Sequence, residues 1–289
     1  MRFEEYYEPD TIEECSRLLI KFGDHAKLLA GGTDLVPKLK NKIWHPQAVI
    51  GLFGIPGMDA ITVSEEGLTL GSLAVLRTIQ KDSEIGEKYV AVREACGHVS
   101  SLQVRNIATI GGNACNASPS ADAVEGLLIH NAVCDIYSAE GERKVPLCEF
   151  FTGPGKTVLK TGEILRGFFV PAPKPHTGCA YKKYTIRGDS DISIVGAGAR
   201  VTLGEDGKVA DCRISLASVA PTPLISSKTE EFLIGKELTK DVIAKAGDIA
   251  SGNIRPITDA RGTAEYRVEM VRVWTRHALE EAYERAQNN

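Results

Sequence analysis

Two short segments, Ala30-Gly31-Gly32-Thr33-Asp34-Leu35 and Thr109-Ile110-Gly111-Gly112-Asn113-Ala114, carry the residue types best suited to chemistry in this chain. Adjacent glycines let consecutive backbone N–H groups turn toward one point without a Cβ in the way, which is how a loop cradles phosphate oxygens. Gly-Gly is also ordinary turn chemistry, so one such segment alone says little. Two of the same form suggest two walls of one site, for a ligand with two phosphates. That is a dinucleotide. Neither segment has G-x-G-x-x-G or G-x-x-x-x-G-K-[ST] spacing, so the loops themselves must supply the N–H donors. Thr33 and Thr109 add hydroxyls, and Asn113 adds an amide.

No metal chemistry accompanies these segments. The seven cysteines are scattered without C-x-x-C spacing, and the six histidines show no H-E-x-x-H or H-x-x-x-H pattern. Reduced, mostly buried thiols are expected, with no iron–sulfur or zinc site on this chain. A net charge of −4 argues against nucleic acid or an anionic membrane as the main partner. The acidic N-terminal run from Met1 to Glu8 lacks a signal-peptide pattern, and no apolar run reaches membrane-spanning length, so a cytoplasmic protein is expected.

Several elements must position the glycine segments. Thr11 caps an expected helix over 12–22, with Glu14 at the capping-box position. Short strands at 27–30 and 48–50 follow, the first ending at the first glycine segment. Strands at 61–64 and 68–71 form a hairpin, and helical patterns cover 72–81 and 88–98. Ser118-Pro119 reads as the start of a helix reaching Asn131. Strands are expected at 132–138, 143–147 and 164–170, before the proline-rich linker 171–175. Beyond it, strands at 193–203 and 208–219 flank the turn Gly204–Gly207, and a helix spans 262–286. That helix presents Ala264, Val268, Val271, Trp274, Ala278 and Ala282 on one face, read as core packing.

The stretch from Leu28 to Leu35, Arg105 to Asn113, and Ala117-Ser118-Pro119-Ser120-Ala121-Asp122 together resemble the FAD-binding medium subunit of molybdenum hydroxylases, the xanthine dehydrogenase and carbon monoxide dehydrogenase flavoproteins. The likeness continues through Lys183–Asp191 and Arg261–Arg267, and so covers essentially the whole chain. It implies an α+β fold: a two-lobed FAD-binding domain of the PCMH, or vanillyl-alcohol-oxidase-like, type, followed by a small C-terminal domain of antiparallel strands and helices. The expected boundaries are 1–172, with lobes of about 1–55 and 56–172, and 178–289. It also implies non-covalent FAD here, and [2Fe-2S] clusters and the molybdopterin cofactor on a small and a large partner subunit. The expected assembly is a dimer of heterotrimers passing electrons through FAD to NAD+ or another acceptor.

By the same resemblance, Leu28, Leu29, Ala30, Gly31, Gly32, Thr33, Asp34 and Leu35, with Thr109, Ile110, Gly111, Gly112 and Asn113, hold the pyrophosphate. Asp122 falls near the ribose or adenine end, Leu165 and Ile192 pack near the flavin, and Lys183 places a cation beside the ring. Read without the resemblance, Asp122 is an acid favoured in the first turn of a helix. Lys183, Arg187 and Asp191, spaced by four, could share one exposed helix face. Two other functions stay open at this point: a stand-alone FAD-dependent reductase or oxidase, and a binding protein that has lost its cofactor. The form Gly31-Gly32-Thr33-Asp34-Leu35 leans toward xanthine-dehydrogenase-like members.

Overall fold

The computed structural model describes residues 3–188 and 190–289. Met1 and Arg2 of the acidic terminal run, and Asp189 of the Lys183–Asp191 stretch, lie outside the described residues. The chain begins with β1 (Glu5–Tyr7), α1 (Ile12–Phe22), β2 (Ala26–Leu29), α2 (Leu35–Lys40) and β3 (Ala48–Gly51). The three strands form a parallel sheet in the order β1-β3-β2. Parallel neighbours need a crossover, and α2 supplies the one between β2 and β3. Thr11 starts that helix by accepting the Glu14 N–H at 3.2 Å, and Gly23, at φ +52°, ends it. β2 therefore delivers the first glycine segment at its carboxyl end.

Next come β4 (Ile61–Val63), β5 (Gly67–Gly71), α3 (Leu76–Lys81), α4 (Ser83–Lys88), α5 (Val90–Gly97), α6 (Leu102–Arg105), α7 (Ile110–Asn116) and α8 (Asp122–Ile129). Strands β6 (Val133–Ser138), β7 (Gly141–Pro146), β8 (Phe151–Gly153), β9 (Lys156–Thr157) and β10 (Ile164–Pro171) follow. A five-stranded antiparallel sheet runs β4-β5-β10-β6-β7, and the helices close one core with it around Leu68, Leu70, Tyr89, Leu127 and Phe168. Two helix expectations change here. The 88–98 pattern is preceded by a separate helix, because Asp82 accepts the Ile85 N–H at 2.9 Å and starts α4. Ser118-Pro119 does not start α8. The Ser118 hydroxyl accepts from Ser120 N and its carbonyl from Ala121 N, closing a turn that delays the helix to Asp122.

The C-terminal part holds β11 (Thr177–Tyr184), β12 (Val195–Leu203), β13 (Val209–Ala217) and β14 (Leu224–Ile225), with α9 (Ser227–Leu233), α10 (Lys240–Ser251) and α11 (Ala264–Gln287). The strands form an antiparallel sheet in that order. β11 carries no alternating pattern and goes unrecognised in the sequence, yet it pairs with β12 from Thr177↔Thr202 to Tyr184↔Val195. It is buried from both sides, by α11 and by α5, so the one-sided patterning rule does not apply. The buried stripe of α11 also differs from expectation: it runs Arg267, Val271, Thr275, Ala278, Leu279, Ala282 and Ala286. Ala264 and Val268 are only half-buried, and Trp274 stacks on Tyr184 at 5.3 Å. Arg267 enters the core because its guanidinium donates to the Ile194 and Ser218 carbonyls and pairs with Asp259. Among the described residues no helix is long and apolar enough to cross a membrane.

Candidate functional site

The first glycine segment joins β2 to α2. Gly31 is there for contact: a Cβ would stand 1.8 Å from the Ile107 carbonyl oxygen, which leads into the second segment. Gly32 turns the chain at φ +72°, a region that side chains with a Cβ rarely adopt. Among the described residues, the N–H groups of Gly31, Gly32, Thr33, Asp34 and Leu35 have no hydrogen-bond partner in the chain, and the first helical bond runs from Val36 N to Gly32 O. Five consecutive donors stand ready for an anion.

The second segment behaves differently, which corrects the expectation of two equivalent loops. It is the first turn of α7, with Thr109 as its cap. Ile110 N donates to Ala74 O at 3.0 Å, Gly111 N to Ser72 O at 2.9 Å, Gly112 N to Thr109 Oγ1 at 3.1 Å, and Asn113 N to Thr109 O at 3.0 Å. Its N–H groups are therefore engaged within the protein. Gly111 permits close packing, since a Cβ would meet that of Ser72 at 2.3 Å. What this wall offers instead is side chains. Asn113 Oδ1 and Ser72 Oγ are buried without a partner, and Ser72 is 4% exposed. Buried polar atoms left open in this way call for a ligand or water.

The two segments line one cavity of about 520 Å3. Leu28, Ala30, Gly31, Gly32, Thr33, Asp34, Leu35, Thr109, Gly111, Gly112, Asn113, Asp122, Leu165, Lys183 and Ile192 all lie on its wall. Leu29 and Ile110 do not: Leu29 packs with Leu35, Leu39 and Val49, and Ile110 is fully enclosed in the core below. Leu165 is buried in the cavity wall, whereas Ile192 is 51% exposed on it. Sequence reasoning missed Lys27, Lys38, Trp44 and Ser72, which share the wall. The Lys27 ammonium beside the first segment was legible as a neighbour of the motif; Ser72 carried no signal, because it sits beside Gly111 only through the fold.

Asp122 and Lys183 were assigned to separate parts of a dinucleotide, and the structure makes them one unit. Lys183 Nζ lies 2.9 Å from Asp122 Oδ2 and 2.8 Å from the His98 carbonyl oxygen, with side chains 2% and 7% exposed. Tyr181, also on β11, donates its hydroxyl to Asp122 Oδ1 at 2.7 Å. Burial pushes the Asp122 carboxyl up, and Lys183 and Tyr181 pull it back toward ionisation. The helix-face alternative fails on geometry: Lys183 lies on a strand, and Arg187 pairs with Asp191 across a bend. One turn along α8, Glu125 is fully buried with both carboxyl oxygens unpartnered, and burial raises it to about 8. One strand residue of the C-terminal sheet, Lys183, with Ser190, Asp191 and Ile192 beyond it, thus completes the wall of a cavity built mostly by the first 170 residues.

A row of free donors, two orphaned polar atoms and a buried carboxylate–ammonium pair suit a large phosphorylated ligand with a polar ring system. Comparison with known proteins gives that ligand an identity. Residues 1–173 match the model of the FAD binding domain in molybdopterin dehydrogenase, and residues 179–282 that of the CO dehydrogenase flavoprotein C-terminal domain. The xanthine dehydrogenase FAD-binding subunit of Escherichia coli O157:H7 is 32% identical over 282 residues, covering 97% of this chain and 96% of that one. The carbon monoxide dehydrogenase medium chain of Afipia carboxidovorans is 32% identical, covering 98% of each. A solved chain of carbon monoxide dehydrogenase from Hydrogenophaga pseudoflava superposes with a TM-score of 0.94 at 32% identity, covering 99% of this chain and 98% of that one.

Proposed function

This chain belongs to the FAD-binding subunits of the molybdopterin dehydrogenases, and we propose that it carries electrons from the [2Fe-2S] clusters of a small partner subunit through FAD to NAD+. The observation that carries this reading is the one cavity whose wall is shared by the residues with five free N–H donors, Ser72, Asn113 and the Asp122–Lys183 pair. Bound FAD would supply the redox chemistry, accepting electrons singly from a cluster and releasing a pair as hydride. The protein's own share is binding and field. The N–H groups from Gly31 to Leu35 hold the diphosphate, with Thr33, Thr109 and Asn113 adding polar contacts. Leu165 and Ile192 flank the ring system. Lys183, fixed by Asp122 and the His98 carbonyl, sets the charge next to it.

In this proposal the FAD-binding domain spans 1–172, with lobes of about 1–55 and 56–172, and the C-terminal domain spans 178–289. FAD is held non-covalently, since neither glycine segment offers a histidine for attachment. The molybdopterin cofactor and the substrate pocket belong to a large partner subunit, in a cytoplasmic dimer of heterotrimers. The form Gly31-Gly32-Thr33-Asp34-Leu35 supports a xanthine-dehydrogenase-like complex. The test is an anaerobic titration of the purified chain, with bound FAD quantified before NADH is added. A flavin spectrum bleached by NADH is expected. A flavin spectrum indifferent to NADH, in the chain and in its complex, would refute NAD+ as the acceptor, and a colourless chain that takes up no FAD would refute the whole reading.

A further inference from the structure

The cavity wall beside the first glycine segment holds two lysines that the motif does not explain. Lys27 Nζ lies 5.1 Å and Lys38 Nζ 4.2 Å from the centre of the same ring system, the indole of Trp44, so the two ammonium groups stand no farther apart than those distances together allow. All three side chains are half-buried and all three line the cavity. Among the described residues neither lysine forms an ion pair with a carboxylate, and Asp34 on the same stretch pairs with neither. Lys38 Nζ does reach across to Asn116 Oδ1, at 3.0 Å, tying α2 to the end of α7. It thereby links the helix that follows the first glycine segment to the one that begins within the second.

Two like charges on one indole ring repel each other, and neither meets a carboxylate among the described residues. The ring quadrupole attracts each cation but neutralises neither. An ammonium has three donors, and Lys38 uses one of them on Asn116. A diphosphate bridge bound to the N–H groups of Gly31–Leu35 would bring two negative charges to this wall, one for each lysine. The buried and open Ser72 Oγ and Asn113 Oδ1 mark the same cavity as built for a polar occupant.

We propose that Lys27 and Lys38, held apart and aimed by Trp44, form a dicationic clamp on the diphosphate of the bound dinucleotide, with Lys38 closing over it from α2 to Asn116. The clamp rests on the FAD-binding reading above and adds a specific consequence to it. Affinity for FAD depends on two side-chain charges outside the glycine motif, and so falls with salt.

The test is FAD binding to the deflavinated full-length chain, followed by quenching of flavin and tryptophan fluorescence at low and high salt. Lys38→Met is expected to weaken FAD binding about tenfold, the loss of one charge-assisted contact. The double variant Lys27→Met/Lys38→Met should lose about a hundredfold and most of its salt dependence. Lys38→Arg, which keeps the charge, should stay near the wild-type value, and the thermal midpoints of the unloaded variants should match wild type. If wild type binds FAD and Lys38→Met binds it equally well, or with unchanged salt dependence, the clamp is wrong while the functional reading stands. A wild-type chain that binds no FAD would overturn both.

Discussion

Replacing Lys183 with methionine removes the cation from a pair in which both partners are almost wholly enclosed, 2% and 7% exposed at 2.9 Å. Asp122 would keep the Tyr181 hydroxyl as a hydrogen-bond donor but lose its lysine. Breaking a buried pair by deleting one member leaves an uncompensated charge, which typically destabilises by about 3–5 kcal/mol. For a chain of this size that corresponds to a fall of roughly 10 °C in the thermal midpoint. The loss should depend on pH, with a definite sign. Without its lysine, Asp122 titrates well above the usual carboxylate range when folded and near about 3.9 when unfolded. The folded variant then binds more protons than the unfolded one, so its stability is greatest below the unfolded value and falls as pH rises toward the folded one. Thermal unfolding of wild type, Lys183→Met and Asp122→Asn/Lys183→Met between pH 5 and pH 8 measures this. The single variant should lose most at pH 8 and recover at pH 5, and the double variant should be the more stable of the two at pH 8. A loss below about 1 kcal/mol, or one equal at both pH values, would refute the buried-pair argument.

Three further outcomes follow from the same geometry. With Lys183 placed beside the ring as proposed, Lys183→Met should lower the flavin reduction potential by removing that cation; spectroelectrochemistry showing an unchanged potential would demote Lys183 to a structural charge. Gly31→Ala should abolish stoichiometric FAD and lower the midpoint, because the new Cβ falls 1.8 Å from the Ile107 carbonyl oxygen and the backbone has to move; full flavin content in that variant would count against the close approach of the two segments. Burial holds Glu125 at about 8 against an ordinary 4.5, so wild-type stability, fully present below the ordinary value, falls as pH rises toward 8. Glu125→Gln should flatten that slope in urea midpoints taken from pH 5 to 8, and parallel curves for the two proteins would exclude the assignment.

What the sequence determined by itself was local. Thr11 capping α1 and the hairpin around Gly204–Gly207 are settled by residues within a few positions of one another, where side chain and backbone chemistry act directly. The glycine motifs were legible for the same reason, and with them the family and its cofactor. The tertiary structure decided everything that depends on meetings across the chain. It turned the second glycine segment into a helix start whose donors are consumed by Ser72, Ala74 and Thr109, because β5 ends beside it. It made β11 a strand with no alternation, since α5 and α11 cover both faces. Above all, it joined Asp122 and Lys183, two residues assigned separate roles, into one pair: a buried charge must be compensated by whatever the fold brings within reach, and separation along the chain does not say what that is.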